Sequence, residues 1–95
     1  MTDTATVGST SYTSPAYVGI PYAKPPVGAR RWQATADSTL SGTLQATAFG
    51  PVCPQAQAPN LTNQSESCLF LNVWTPSGAT STSKLPVMVF IHGGA

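Results

Sequence analysis

Charge is what this sequence has least of. Four of its 95 residues are Lys or Arg and three are Asp or Glu, so 7% are charged, against roughly 25% in an ordinary soluble domain. The cations, spread from Lys24 to Lys84, form no clustered basic face, which excludes a nucleic-acid module and a polybasic membrane anchor. Long hydrophobic runs are also missing. The longest, Val87 to Ile91, falls far short of the roughly 20 residues that span a bilayer. Met1 to Val7 has no basic start, and it lacks the apolar stretch of about 7–15 residues that marks a secretory signal. Cysteine is scarce: Cys53 and Cys68 are too few for a disulfide-built mini-protein or a four-ligand zinc site. A single bridge or two free thiols remain open. Leu, Ile, Val and Phe together number 18 of 95, close to the roughly 20% below which a packed core fails. Disorder usually couples that shortage to a high net charge. Here the net charge is +1, so the chain reads as globular but poor in core.

Length allows one domain at most, or a piece of one. Residues 1–15 are rich in Thr and Ser, and Gly8-Ser9 suits a hairpin turn, although the composition suits a frayed terminus equally. Tyr17 to Tyr22 is strand-like. Lys24-Pro25-Pro26-Val27-Gly28 makes a stiff connector, because the residue before a proline is pushed to extended geometry. Residues 33–50 are small and polar and lack apolar periodicity, leaving room for no more than a turn of helix. Pro54 to Ser67 is loop by composition. Leu69 to Trp74 is the clearest strand, with Leu69, Leu71 and Val73 on one face and Asn72 interrupting the other. Leu85 to Ile91 is apolar on both faces, which predicts a strand buried in mid-sheet. Such a strand needs neighbours and covering helices, so the chain looks like the opening of a larger α/β domain.

Four blocks then match one family in order. Gly19-Ile20-Pro21-Tyr22-Ala23-Lys24-Pro25-Pro26-Val27-Gly28-Ala29-Arg30-Arg31-Trp32 resembles the entry motif of type-B carboxylesterases, the carboxylesterase/cholinesterase/lipase family. Phe49 to Gln55 is similar to its next block, and Glu66 to Pro76 resembles its Glu-Asp-Cys-Leu signature, with Ser67 where the family usually has Asp. Leu85 to Ala95 resembles the strand and glycine-rich loop of its oxyanion hole. The resemblance implies an α/β fold. Residues 1–95 would be the N-terminal strands of an α/β-hydrolase sheet, β-rich and incomplete, within one domain.

The implied activity is hydrolysis of carboxylic esters by a serine on a Gly-X-Ser-X-Gly elbow, followed in sequence by an acid and a histidine. None of the ten serines lies in that frame. The triad is therefore absent from this chain. What remains is the oxyanion loop His92-Gly93-Gly94-Ala95. The resemblance makes the backbone N–H groups of Gly94 and Ala95 two donors to the oxyanion, with His92 and Gly93 as supports. His92 is not the catalytic base, because the family's histidine follows its serine. The family pattern also implies a Cys53–Cys68 disulfide, worth about 3 kcal/mol if unstrained, and an Arg31–Glu66 ion pair. Glu66 precedes a buried strand, so that pair is expected to be drawn inwards. Trp32 and Trp74 read as packing residues.

No cofactor and no metal are expected, and the substrate of the whole protein would be a small-molecule or lipid ester. Choline recognition needs an aromatic against the quaternary ammonium, and Pro54 to Ser67 contains none. The cysteine pair and the sequons Asn60-Leu61-Thr62 and Asn63-Gln64-Ser65 favour secretion, whereas Met1 as the true start favours the cytoplasm. Two rivals stand beside the enzyme: a family member that keeps the fold as an adhesion domain without the serine, and a truncated product without function. A serine elbow downstream would separate them.

Overall fold

Gly8 and Ser9 form the two-residue turn of a hairpin, with Val7 paired to Thr10. Gly8 has φ +62°, and a glycine at the first central position is what a tight turn matching the strand twist requires. The computed structural model describes residues 1–56 and 60–93. Among them, strands β1 (Thr2–Val7), β2 (Thr10–Pro21) and β3 (Phe70–Trp74) build one antiparallel sheet in the order β1-β2-β3. Of the two readings of residues 1–15, the hairpin is the one observed. Its Thr and Ser residues pair across the strands, Thr4 with Thr13 at 3.4 Å and Thr6 with Ser11 at 3.1 Å between hydroxyl oxygens. Such cross-strand hydroxyl pairs stabilise a solvated sheet face without apolar burial.

The β2–β3 pairing breaks register once. Tyr17 faces Val73 and Ile20 faces Leu71, so Val18 and Gly19 together oppose Asn72. An extra residue on one strand of a pair is a β-bulge. Gly19 sits in it with φ +74°. The Gly19 N–H, displaced from the ladder, donates to the Asn72 side-chain oxygen at 2.9 Å. Asn72 therefore interrupts the apolar strand for a reason: it satisfies an N–H that the bulge would otherwise strand. The bulge also turns Val18 away from β3 and onto residues 46–47. Its N–H donates to the Ala46 carbonyl at 3.1 Å, and Val18 bridges Thr47. Among the described residues, Ala16, Val18 and Ala23 make up the buried core. Further on, Lys24 N–H donates to the Ala36 carbonyl at 2.8 Å, tying residues 36–37 to the end of β2. The only helical piece among the described residues is a 3-10 turn, Gly28–Arg30, and residues 33–50 form no helical turn.

The mid-sheet strand expected at Leu85 to Ile91 is not observed. Val87, Met88, Val89, Phe90 and Ile91 pair with no strand and are 81–98% exposed. The reason is physical: a strand apolar on both faces is stable only between neighbours, and β1 and β3 leave this segment none among the described residues. The surface area records the same shortage. The chain exposes 7962 Å². A compact monomer of its mass exposes roughly 5200 Å². The radius of gyration is 16.1 Å. A packed domain of this length has roughly 12 Å.

Candidate functional site

The oxyanion-loop residues fall at the end of the described chain. His92 and Gly93 are exposed, and His92 Nδ1 lies 3.0 Å from the carbonyl oxygen of its neighbour Gly93. That contact lies within the loop itself, and among the described residues the ring makes no other hydrogen bond. Gly94 and Ala95 lie outside the described residues. Their donor role is not part of the observed geometry.

The motif blocks in the middle of the chain converge around one disulfide. Cys53 and Cys68 are bridged, with their Cα atoms 5.0 Å apart. Beside the bridge, Val52 N–H donates to the Asn63 carbonyl at 2.9 Å, and Ser65 N–H donates to the Val52 carbonyl at 3.0 Å. Gln64 completes the clasp: its side-chain oxygen accepts from Gln55 N–H at 2.8 Å, and its amide donates to the Leu61 carbonyl at 3.0 Å. Just before the bridge, Gly50 lies against the Phe70 ring so closely that a Cβ there would sit 2.5 Å from a ring carbon. The disulfide thus joins two segments that already share backbone bonds and an aromatic contact at the start of β3.

Arg31 and Glu66 meet at 3.2 Å. Expectation and structure differ on burial, because the two side chains are 57% and 46% exposed. The Arg31 guanidinium also lies 5.6 Å from the centroid of the Trp32 ring. Trp32 has φ +64° and projects almost wholly into solvent, so it does not pack as the sequence suggests. An exposed ion pair is screened and is typically worth about 0.2–1 kcal/mol. Glu66→Gln is accordingly expected to change the unfolding free energy of the whole protein by no more than about 1 kcal/mol. A loss near the roughly 3–5 kcal/mol typical of broken buried pairs, measured by denaturant titration, would show that the pair is enclosed there.

Trp74 occupies a second cluster that the sequence did not disclose. Its indole Nε1–H donates to the Asp3 carboxylate at 2.9 Å, and the other Asp3 oxygen accepts from Thr4 N–H at 2.9 Å. Asp3 and Trp74 are 71 positions apart in sequence, which no local pattern can connect. Tyr12 and Trp74 line an open groove of about 530 Å³ with Ser11, Thr13, Ser14 and Ser77. None of its lining residues is a base that could activate a serine. Among the described residues no group of three or more His, Cys, Asp or Glu gathers to hold a metal ion, and no helix is long and apolar enough to cross a membrane.

Comparison with known proteins places this geometry in a class. The solved structures it matches are α/β-hydrolase esterases: a thermophilic pNB esterase at 42% identity and TM-score 0.73, covering 90% of this chain and 20% of that one, and EstA of Aspergillus niger at 42% identity and TM-score 0.71, covering 88% and 18%. The family model for the carboxylesterase family matches residues 3–95, and the chain belongs to that family. Among curated relatives it is 48% identical over 84 residues to a para-nitrobenzyl esterase of Bacillus subtilis, covering 81% of this chain and 17% of the relative. It is 41% identical over 93 residues to carboxylesterase 1F of Mus musculus, covering 82% and 17%. The chain thus spans about a sixth of the length of these curated relatives.

Proposed function

We propose that residues 1–95 are the N-terminal part of a single α/β-hydrolase domain that hydrolyses carboxylic esters with a serine nucleophile. Small-molecule or lipid esters are its substrates. The observation that carries this reading is the family match, which runs through residue 95 and so includes His92-Gly93-Gly94-Ala95. In ester hydrolysis a nucleophile adds to the acyl carbon, and negative charge develops on the former carbonyl oxygen. Backbone N–H donors fixed about 3 Å from that oxygen stabilise it more than they stabilise the ground-state carbonyl. Gly94 and Ala95 supply two such donors, and a third follows the serine elsewhere in the protein. Glycines at 93 and 94 let the backbone turn and approach the substrate without a side chain intervening. His92 and Gly93 support the loop.

This division of labour makes the 95-residue chain inactive by itself. An oxyanion donor pair lowers a barrier only when a nucleophile is present to create the oxyanion, and no serine here has the Gly-X-Ser-X-Gly frame. The purified 95-mer should hydrolyse p-nitrophenyl acetate no faster than an inert control protein and should not be labelled by a fluorophosphonate. The whole protein should do both. Labelling of the 95-mer at one of its own serines would overturn the assignment, and an inert whole protein would favour the non-catalytic relative.

A further inference from the structure

The two sequons in the loop closed by the disulfide are equal as text and unequal as structure. In Asn63-Gln64-Ser65 the Asn63 side chain is exposed, but the backbone on either side of Gln64 and the Ser65 hydroxyl are engaged. The Asn63 carbonyl and the Ser65 N–H are both bonded to Val52, and the Gln64 side chain bridges Gln55 and Leu61. The Ser65 hydroxyl, half-buried, accepts from Ser67 N–H at 3.1 Å. In Asn60-Leu61-Thr62 all three residues are exposed. Among the described residues neither the Asn60 amide nor the Thr62 hydroxyl has a hydrogen-bond partner, and Asn60 lies in a turn. A sequon is used when its amide nitrogen and the hydroxyl two residues on are both presented to the transferase. Both asparagines are exposed, and the difference lies at the hydroxyl: Thr62 is exposed, whereas Ser65 is half-buried and already accepts a hydrogen bond, so only the first sequon meets both halves of that condition.

We propose that Asn60 is an N-glycosylation site and that Asn63 is not. The Cys53–Cys68 bridge supports the setting, because a disulfide persists in the same oxidising, exported environment in which such transfer occurs. The co-reactant is a polyprenyl-pyrophosphate-linked oligosaccharide. The Asn60 amide nitrogen attacks the anomeric carbon, a C–N bond forms, and the bond from that carbon to the pyrophosphate oxygen breaks. One amide proton is lost to a base of the transferase, and polyprenyl pyrophosphate leaves with the bonding electrons. The glycan would then stand on the solvent side of the disulfide loop, away from the Val52 clasp. This inference is independent of esterase activity.

The test uses the whole protein secreted from a eukaryotic host, with the disulfide verified in the secreted material. Treatment with N-glycosidase in oxygen-18 water should reduce its mass by one glycan and leave one heavy oxygen on the carboxyl group formed at position 60. Asn60→Gln and Thr62→Ala should each abolish the mass change, while Asn63→Gln should leave it intact. Secreted protein unmodified at Asn60, or a label found on Asn63, would overturn the proposal.

Discussion

Replacing Gly19 by alanine in the whole protein is expected to destabilise it by about 2–5 kcal/mol, the sum of two separable effects. The first is conformational: a Cβ-bearing residue in the left-handed region costs roughly 1–2 kcal/mol, and Gly19 has φ +74°. The second is steric. A Cβ at Gly19 would run into the carbonyl oxygen of Ala48 and lie 3.3 Å from the Gly50 nitrogen. Both are backbone atoms, which cannot rotate out of the way, and overpacking of this kind typically costs about 1–3 kcal/mol. Gly8 separates the effects, because its φ is +62° but a Cβ there meets nothing within 4 Å. Gly8→Ala should therefore cost only the first part. Thermal unfolding of the two variants side by side decides the matter. Equal losses would mean that the Ala48 segment yields, and that the bulge is held by conformation alone.

The second large effect concerns the 95-mer as a separate polypeptide, which should self-associate rather than fold cooperatively. Val87 to Ile91 offers five consecutive apolar residues, 81–98% exposed, with unpaired backbone groups. A segment of high β-propensity without charge or proline is a template for edge pairing with other copies. Against this, the buried hydrophobic side chains among the described residues are Ala16, Val18 and Ala23. Ordering costs roughly 1–2 kcal/mol per residue for the backbone alone, which so small a core cannot offset. Most of the 95-mer should pellet at micromolar concentration. Met88→Lys with Phe90→Lys should raise the soluble fraction several-fold, because charges in such a run act as gatekeepers. A monomeric wild-type 95-mer with dispersed amide resonances and one cooperative transition would show that the hairpin and β3 are a self-sufficient domain.

The sequence disclosed the features that rest on local chemistry. Gly8-Ser9 marked the first turn, the apolar run from Tyr17 marked the end of β2, and alternation from Leu69 marked β3. The first half of β2, Thr10 to Ala16, was illegible because it is stabilised by hydroxyl pairs rather than an apolar face. Leu85 to Ile91 forms no strand here for the opposite reason: its pattern reports where it would be stable, and its structure reports the neighbours at hand. The bulge was half legible, since a glycine in a strand and an asparagine in an apolar run are each a signal. What could not be read is that they answer each other across 53 positions. At the candidate site, motif blocks located the Arg31–Glu66 pair but not its exposure, which depends on what packs over it.

Asn72 also acts as a key against misalignment. A strand shifted by one residue turns its whole apolar set to the opposite face, and hydroxyl-rich strands discriminate weakly between such alternatives. With Gly19 opposite, one alignment alone both bonds the asparagine amide and releases Val18 towards Thr47. Any slipped arrangement leaves the amide facing an intact ladder that has no spare donor for it. The irregular point of the sheet is thus where the β2–β3 alignment is decided, and polypeptide added beside β3 would inherit that phase.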